Sequence, residues 1–130
     1  MERGRAEFDG APHTRGRGKA GEEAAVRWLA ANGYEVVDRN VVNQCGEIDV
    51  VARDGDTLCF LEIKARGSDA YGPAIAAVGR GKQRRIARAA ALYLAMERHD
   101  GPCRFDVLGL DADGQGGWSY TLVKNAFEVG

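Results

Sequence analysis

The chain has 130 residues, 45% of them hydrophobic and 28% charged, with a formal net charge of −1. That length suits one domain with its own core, and the balance is that of an ordinary globular protein rather than a disordered or fibrous one. No apolar run approaches the roughly 18 residues a membrane span needs, and no apolar stretch follows the N-terminal arginines, so neither a membrane anchor nor a secretory leader is expected. Three cysteines, Cys45, Cys59 and Cys103, stand at unrelated spacings with no histidine near them, which argues against structural zinc and for reduced thiols in a cytoplasmic protein.

Residues 1 to 13 mix Gly, Arg, Pro and Asp without period and are expected to be a flexible tail, leaving 14–130 as a single domain. Thr14 to Ala31 predicts a helix that stops at Asn32-Gly33, the glycine serving as a left-handed cap. Tyr34 to Val42, Ile48 to Arg53 and Thr57 to Ala65 predict strands, and Asp54-Gly55-Asp56 marks a tight turn between the last two. After a loop at 67–73, a helix is expected from Ile75 to Glu97, with Gly79 and Gly81 as points where it can break. Arg104 to Leu110 and Trp118 to Val123 complete the strands. The order is α-β-β-β-α-β-β, an α/β fold with a mixed central sheet flanked by helices.

The segment Leu58-Cys59-Phe60-Leu61-Glu62-Ile63-Lys64 reads as a central strand buried on both faces, yet two charges interrupt it. Residues two apart on a strand share a face, so Glu62 and Lys64 project together. Burying either one unpaired costs several kcal/mol. The hairpin partner, Ile48-Asp49-Val50-Val51, is another apolar strand broken by one acid, and pairing about the turn brings Asp49 close to Glu62. Two adjacent carboxylates repel unless a cation neutralises them. Magnesium, or manganese in its place, suits such a site: it takes one or two carboxylates, keeps waters and uses phosphate oxygens as further ligands. The Ile63 carbonyl is a candidate third protein ligand, and Lys64 a candidate to orient or deprotonate the attacking water. An ordinary salt bridge between Glu62 and Lys64, with Asp49 a surface acid, explains the same pattern without chemistry.

On the first helix, Gly21, Ala25, Trp28 and Leu29 form the buried side. Glu22 falls on its flank and is a candidate metal ligand or holder of a metal-bound water, or else a helix-boundary glutamate. Glu23 points away and is expected to pair with Arg27, four residues on. On the second helix, Lys82 shares the apolar side with Ile75, Val78, Ile86, Ala89 and Tyr93, either snorkelling or reaching the acidic site. Arg80, Arg84 and Arg88 cluster elsewhere, a stripe that suits a phosphate backbone or plain solvent. Glu47 is expected to be structural, and Asp106 to be a buried acid bonded to Arg104 or Arg66.

Several motifs resemble the YraN family of small bacterial proteins: Gly21-Glu22 with Ala25, Gly33-Tyr34, Arg39-Asn40, Gly46-Glu47-Ile48-Asp49, Phe60-Leu61-Glu62-Ile63-Lys64-Ala65-Arg66, Lys82-Gln83-Arg84-Arg85, Arg104-Phe105-Asp106-Val107 and Asn125-Ala126-Phe127. They run in the family's order across residues 16 to 128. That family is in turn similar to the PD-(D/E)XK nuclease superfamily, especially archaeal Holliday junction resolvases. The resemblance implies a restriction-endonuclease-like α-β-β-β-α-β core. It implies Glu22, Asp49, Glu62 and Lys64 as the catalytic residues, with Lys82 or Gln83 as support from the helix. The expectation is a magnesium-dependent phosphodiesterase acting on nucleic acid, DNA rather than RNA, on branched or single-strand-containing substrates in repair, recombination or uptake. Lys82, Gln83, Arg84 and Arg88 would contact the nucleic acid. The alternative is a non-catalytic module that grips nucleic acid or a partner protein in the same cleft. Resolvase likeness implies a homodimer, although no long exposed apolar stripe in the sequence argues for one.

Overall fold

The computed structural model describes residues 12–66 and 78–128. Within them lie helix α1 (Pro12–Ala31), strands β1 (Glu35–Asn43), β2 (Gly46–Asp54) and β3 (Thr57–Arg66), helix α2 (Arg80–Glu97), and strands β4 (Cys103–Ala112) and β5 (Trp118–Val123). One five-stranded sheet runs in the order β1-β2-β3-β4-β5. Its pairs are antiparallel except β3 and β4, which run parallel from Leu58↔Cys103 to Arg66↔Asp111. The sheet is therefore mixed, with β3 at its centre, as the double-sided hydrophobicity of that strand required.

A helix covers each face. Ala24, Ala25 and Leu29 of α1 pack on Val50, Ala52, Cys59, Leu61, Leu108 and Leu110. Ala89, Ala90 and Tyr93 of α2 pack on Ile48, Val51, Leu58 and Phe60 of the opposite face. Ile86 meets Val107 and Phe127 beside them. Aromatic contacts extend both layers: Trp28 stacks on Tyr120, and Phe105 on Phe127.

The helix ends have local causes. At the end of α1, Tyr34 N–H donates to the Leu29 carbonyl and Gly33 takes φ +95°, the left-handed cap expected at that glycine. The helix begins at Pro12, two residues before the expected Thr14, and residues 1–11 of the expected tail lie outside the described residues. α2 begins at Arg80 rather than Ile75. Gly79 is its N-cap in extended backbone, so that glycine starts the helix, and Gly81 lies inside it without a break. The expected loop at 67–73 and the residues 74–77 also lie outside the described part. No described helix is long and apolar enough to cross a membrane.

Candidate functional site

The site forms where β2 and β3 part. Their ladder runs from Asp54↔Thr57 to Val50↔Leu61 and stops there, one pair short of setting Asp49 against Glu62. The Asp49 carboxylate takes over: its Oδ2 accepts the Ile63 N–H at 2.8 Å. A carboxylate oxygen thus substitutes for the main-chain acceptor that continued pairing would supply, which satisfies the donor and holds Asp49 against β3.

The other edge of β2 is disturbed at the same residue. Partners Arg39↔Val50 and Val41↔Ile48 skip the pair Asn40 and Asp49, and Asn40 adopts φ 52°. Strict alternation would put Ile48 and Val50 on one face, yet Val50 packs beneath α1 and Ile48 beneath α2. The strand turns over at Asp49. Asparagine tolerates the left-handed region better than the β-branched residues around it, so Asn40 is suited to the irregularity opposite the acid. Its Oδ1 is buried without a hydrogen-bond partner among the described residues. Sequence reasoning met Asn40 only as part of a motif. A polar, turn-favouring residue inside Val36-Val37-Asp38-Arg39-Asn40-Val41-Val42 was the available signal.

Glu62 lies 5% exposed on the α2 face of β3. Its partner is Lys82 of α2, whose Nζ stands 2.6 Å from Glu62 Oε2. Lys82, on the apolar side of its helix, therefore reaches the acidic site. Lys64, the expected partner in the simple salt-bridge reading, makes no ion pair or hydrogen bond among the described residues. The structure thus brings Asp49, Glu62, Ile63, Lys64 and Lys82 together at the parting of the central strands.

The remaining expected residues are placed differently. Glu22 is half-buried on the turn of α1 that crosses the end of β3, where a Cβ on Gly21 would stand 3.0 Å from Ala65 Cβ. Glu23 is exposed but pairs with Arg39 of β1 at 3.0 Å instead of Arg27. The side-chain amide of Gln83 donates to the Val78 carbonyl at 3.1 Å, so it serves the start of α2. Arg80, Arg84 and Arg88 are exposed, and at 100° per residue Arg80 and Arg84 point roughly 160°, and Arg88 roughly 120°, away from Lys82, toward solvent. No acid stands in the first turn of α2, and these arginines make no ion pair among the described residues.

Asp106 belongs to a separate cluster on the α1 face. It is fully buried and accepts from Tyr34 Oη (2.9 Å), Arg104 Nε (2.8 Å) and Nη2 (2.9 Å), and Asn125 N–H (2.8 Å). Arg104 also reaches Asp54 at 2.8 Å, and Lys124 joins Asp54 at 3.1 Å. Burial, and the Asp106 charge after it, pushes the neighbouring Cys59 thiol up to about 12, which keeps it a neutral core group. The expectation that Asp106 bonds Arg104 is met, and Arg66 is not its partner.

A family model described as "Uncharacterised protein family UPF0102" matches residues 21–110, a span that contains Glu22, Asp49, Glu62, Lys64 and Lys82. The chain belongs to the UPF0102 family. The UPF0102 protein of Symbiobacterium thermophilum is 45% identical over 113 residues, covering 86% of this chain and 96% of the relative. That of Alcanivorax borkumensis is 43% identical over 112 residues, 85% of this chain and 90% of its own. The relative in Geobacter metallireducens is 42% identical over 118 residues, 90% and 96% of the two chains. UPF0102 membership agrees with the YraN likeness read from the motifs, and the mixed sheet between two helices agrees with the expected core.

Proposed function

We propose that this UPF0102 protein is a metal-dependent phosphodiesterase that acts on nucleic acid, DNA in preference to RNA. The observation that carries the reading is the pair of carboxylates, Asp49 and Glu62, fixed at the parting of two central strands beside Lys64, which makes no ion pair or hydrogen bond among the described residues. Asp49 caps the Ile63 N–H and Glu62 pairs with Lys82, so the charge that neither packing nor pairing among the described residues accounts for is Lys64.

The donor set fits magnesium or manganese. Asp49, Glu62 and the Ile63 carbonyl are hard oxygen donors, and among the described residues no three His, Cys, Asp or Glu side chains converge. Such a set suits an ion that keeps its waters and borrows substrate oxygens. When bound, the ion would polarise the phosphate and stabilise the charge that builds on it. Asp49 and Glu62 would hold it, with Glu22 a further acid at the end of β3. Lys64 would orient the attacking water, or take its proton when itself deprotonated, as that water's oxygen bonds to phosphorus and the ester oxygen leaves. The acid-free stripe of Arg80, Arg84 and Arg88 suits neighbouring phosphates of a long or branched substrate.

The test is incubation of single-stranded, duplex, flapped and four-way-junction DNA with magnesium or manganese, wild type beside Glu62→Ala and Asp49→Ala. Cleavage by wild type that both variants lose is the expected outcome. Salt-sensitive binding with no cleavage of any substrate would overturn catalysis and leave a binding module that uses the same cleft.

A further inference from the structure

Two lysines flank Glu62, and the structure treats them differently. Lys64 shares the strand face with Glu62 and makes no ion pair among the described residues, while Lys82 crosses from α2 to sit 2.6 Å from Glu62 Oε2. Lys82 is 40% exposed against 5% for the glutamate, so its stem lies in the helix–sheet interface and its ammonium at the rim. That placement puts a protein cation on one of the oxygens a metal would use. Two cations competing for one carboxylate repel each other, so each weakens the other's hold. The long lysine stem lets the ammonium swing aside without moving the helix. From Arg80 to Met96 the helix carries no acid, and its one glutamate, Glu97, lies about four turns from Lys82. A substrate phosphate would offer the displaced ammonium an anion close by.

We propose that Lys82 is a resident counter-cation that holds Glu62 against metal until a nucleic-acid phosphate draws the ammonium away. Metal and nucleic acid then bind cooperatively. The inference rests on the metal-site reading of Asp49 and Glu62 given above. By linkage the coupling is reciprocal, so bound nucleic acid tightens metal binding as much as bound metal tightens nucleic acid.

The experiment is calorimetric titration of Mn2+ into the full chain as wild type, Lys82→Met, Lys82→Arg and Glu62→Gln. Each is measured alone and with a short phosphorothioate-linked duplex. Without DNA, Lys82→Met is expected to bind Mn2+ about tenfold tighter than wild type, or about 1.4 kcal/mol. Lys82→Arg should stay near wild type. The duplex should tighten Mn2+ binding to wild type but much less to Lys82→Met. Unchanged or weaker Mn2+ binding by Lys82→Met, at a site that Glu62→Gln abolishes, overturns the proposal and leaves the metal site standing. Failure of wild type and Lys82→Met alike to bind Mn2+ overturns the metal site itself. A lysine that serves only helix packing would lower the melting temperature of Lys82→Met and leave its Mn2+ affinity where it was. Should Lys82→Met not fold, Lys82→Gln removes the same charge and is read by the same criteria.

Discussion

Replacing Asp106 by asparagine is the sharpest test of what holds the sheet together away from the candidate site. The carboxylate is fully buried and accepts four hydrogen bonds, from Tyr34, from two nitrogens of Arg104 and from the Asn125 main chain. Asparagine keeps the shape but loses the charge. Its carbonyl oxygen can serve about half of those donors, and its amide hydrogens would face the rest. Removing one partner of a buried ion pair costs about 3–5 kcal/mol. Arg104 keeps Asp54, at 2.8 Å and partly in solvent, so the low end of about 3 kcal/mol applies here. With a urea dependence of about 2 kcal/mol per molar, the unfolding midpoint should fall by about 1.5 M. Tyr34→Phe, which deletes a single donor, is the internal scale and should cost about 1 kcal/mol. Urea titration followed by tryptophan fluorescence and far-ultraviolet circular dichroism measures both. A midpoint shift below about 0.5 M for Asp106→Asn would refute the reasoning, because an acid so cheaply neutralised is exchanging its partners with water.

Two further outcomes follow from particular contacts. Gly21→Val places a branched side chain where even a Cβ would meet Ala65 Cβ at 3.0 Å, so the variant should lose about 1–3 kcal/mol in the same urea assay. No loss would mean that α1 stands off from β3. Asp54 is held below its ordinary value of 3.8 by its hydrogen bonds to Arg104 and then Lys124, so its folded pKa is depressed. The stability it contributes is present above the ordinary value and is lost as pH falls through the depressed one. The urea midpoint of wild type should therefore drop more steeply below about pH 4 than that of Asp54→Asn, and parallel acid limbs would contradict the assignment.

Much of the architecture was legible because each strand announces itself by its own residues. The double-sided hydrophobicity of β3 placed it at the centre, and Trp118–Val123 was found at its observed bounds. Glu62, Lys64 and Asp49 were legible for the same reason, since a charge inside an apolar strand is conspicuous. Lys82 showed itself as a cation on the apolar side of a helix. The misses share a different cause. The pairing of Glu23 with Arg39 rather than Arg27 arises between a helix and the neighbouring strand, where spacing rules within one helix have no reach. The turning-over of β2 at Asp49 depends on the backbone of Asn40 across the ladder, and no periodicity within either strand records it. The sequence offered Gly79 as a point where a helix from Ile75 could break, and α2 does start there, at Arg80 with Gly79 as its N-cap.

The short turn between β1 and β2 is hydrogen-bonded to α2 at one point and lies close against its backbone at another. The Asn43 side-chain amide donates to the Ala89 carbonyl at 3.2 Å, and a Cβ on Gly46 would stand 3.3 Å from the Arg85 carbonyl oxygen. Any slide or roll of the helix would tear that amide from its acceptor or drive main chain into main chain. Were a partner to dock at this end of the molecule, lysine and arginine heads would re-aim over a fixed frame, on the fast timescale of rotamer exchange rather than the slow one of helix displacement.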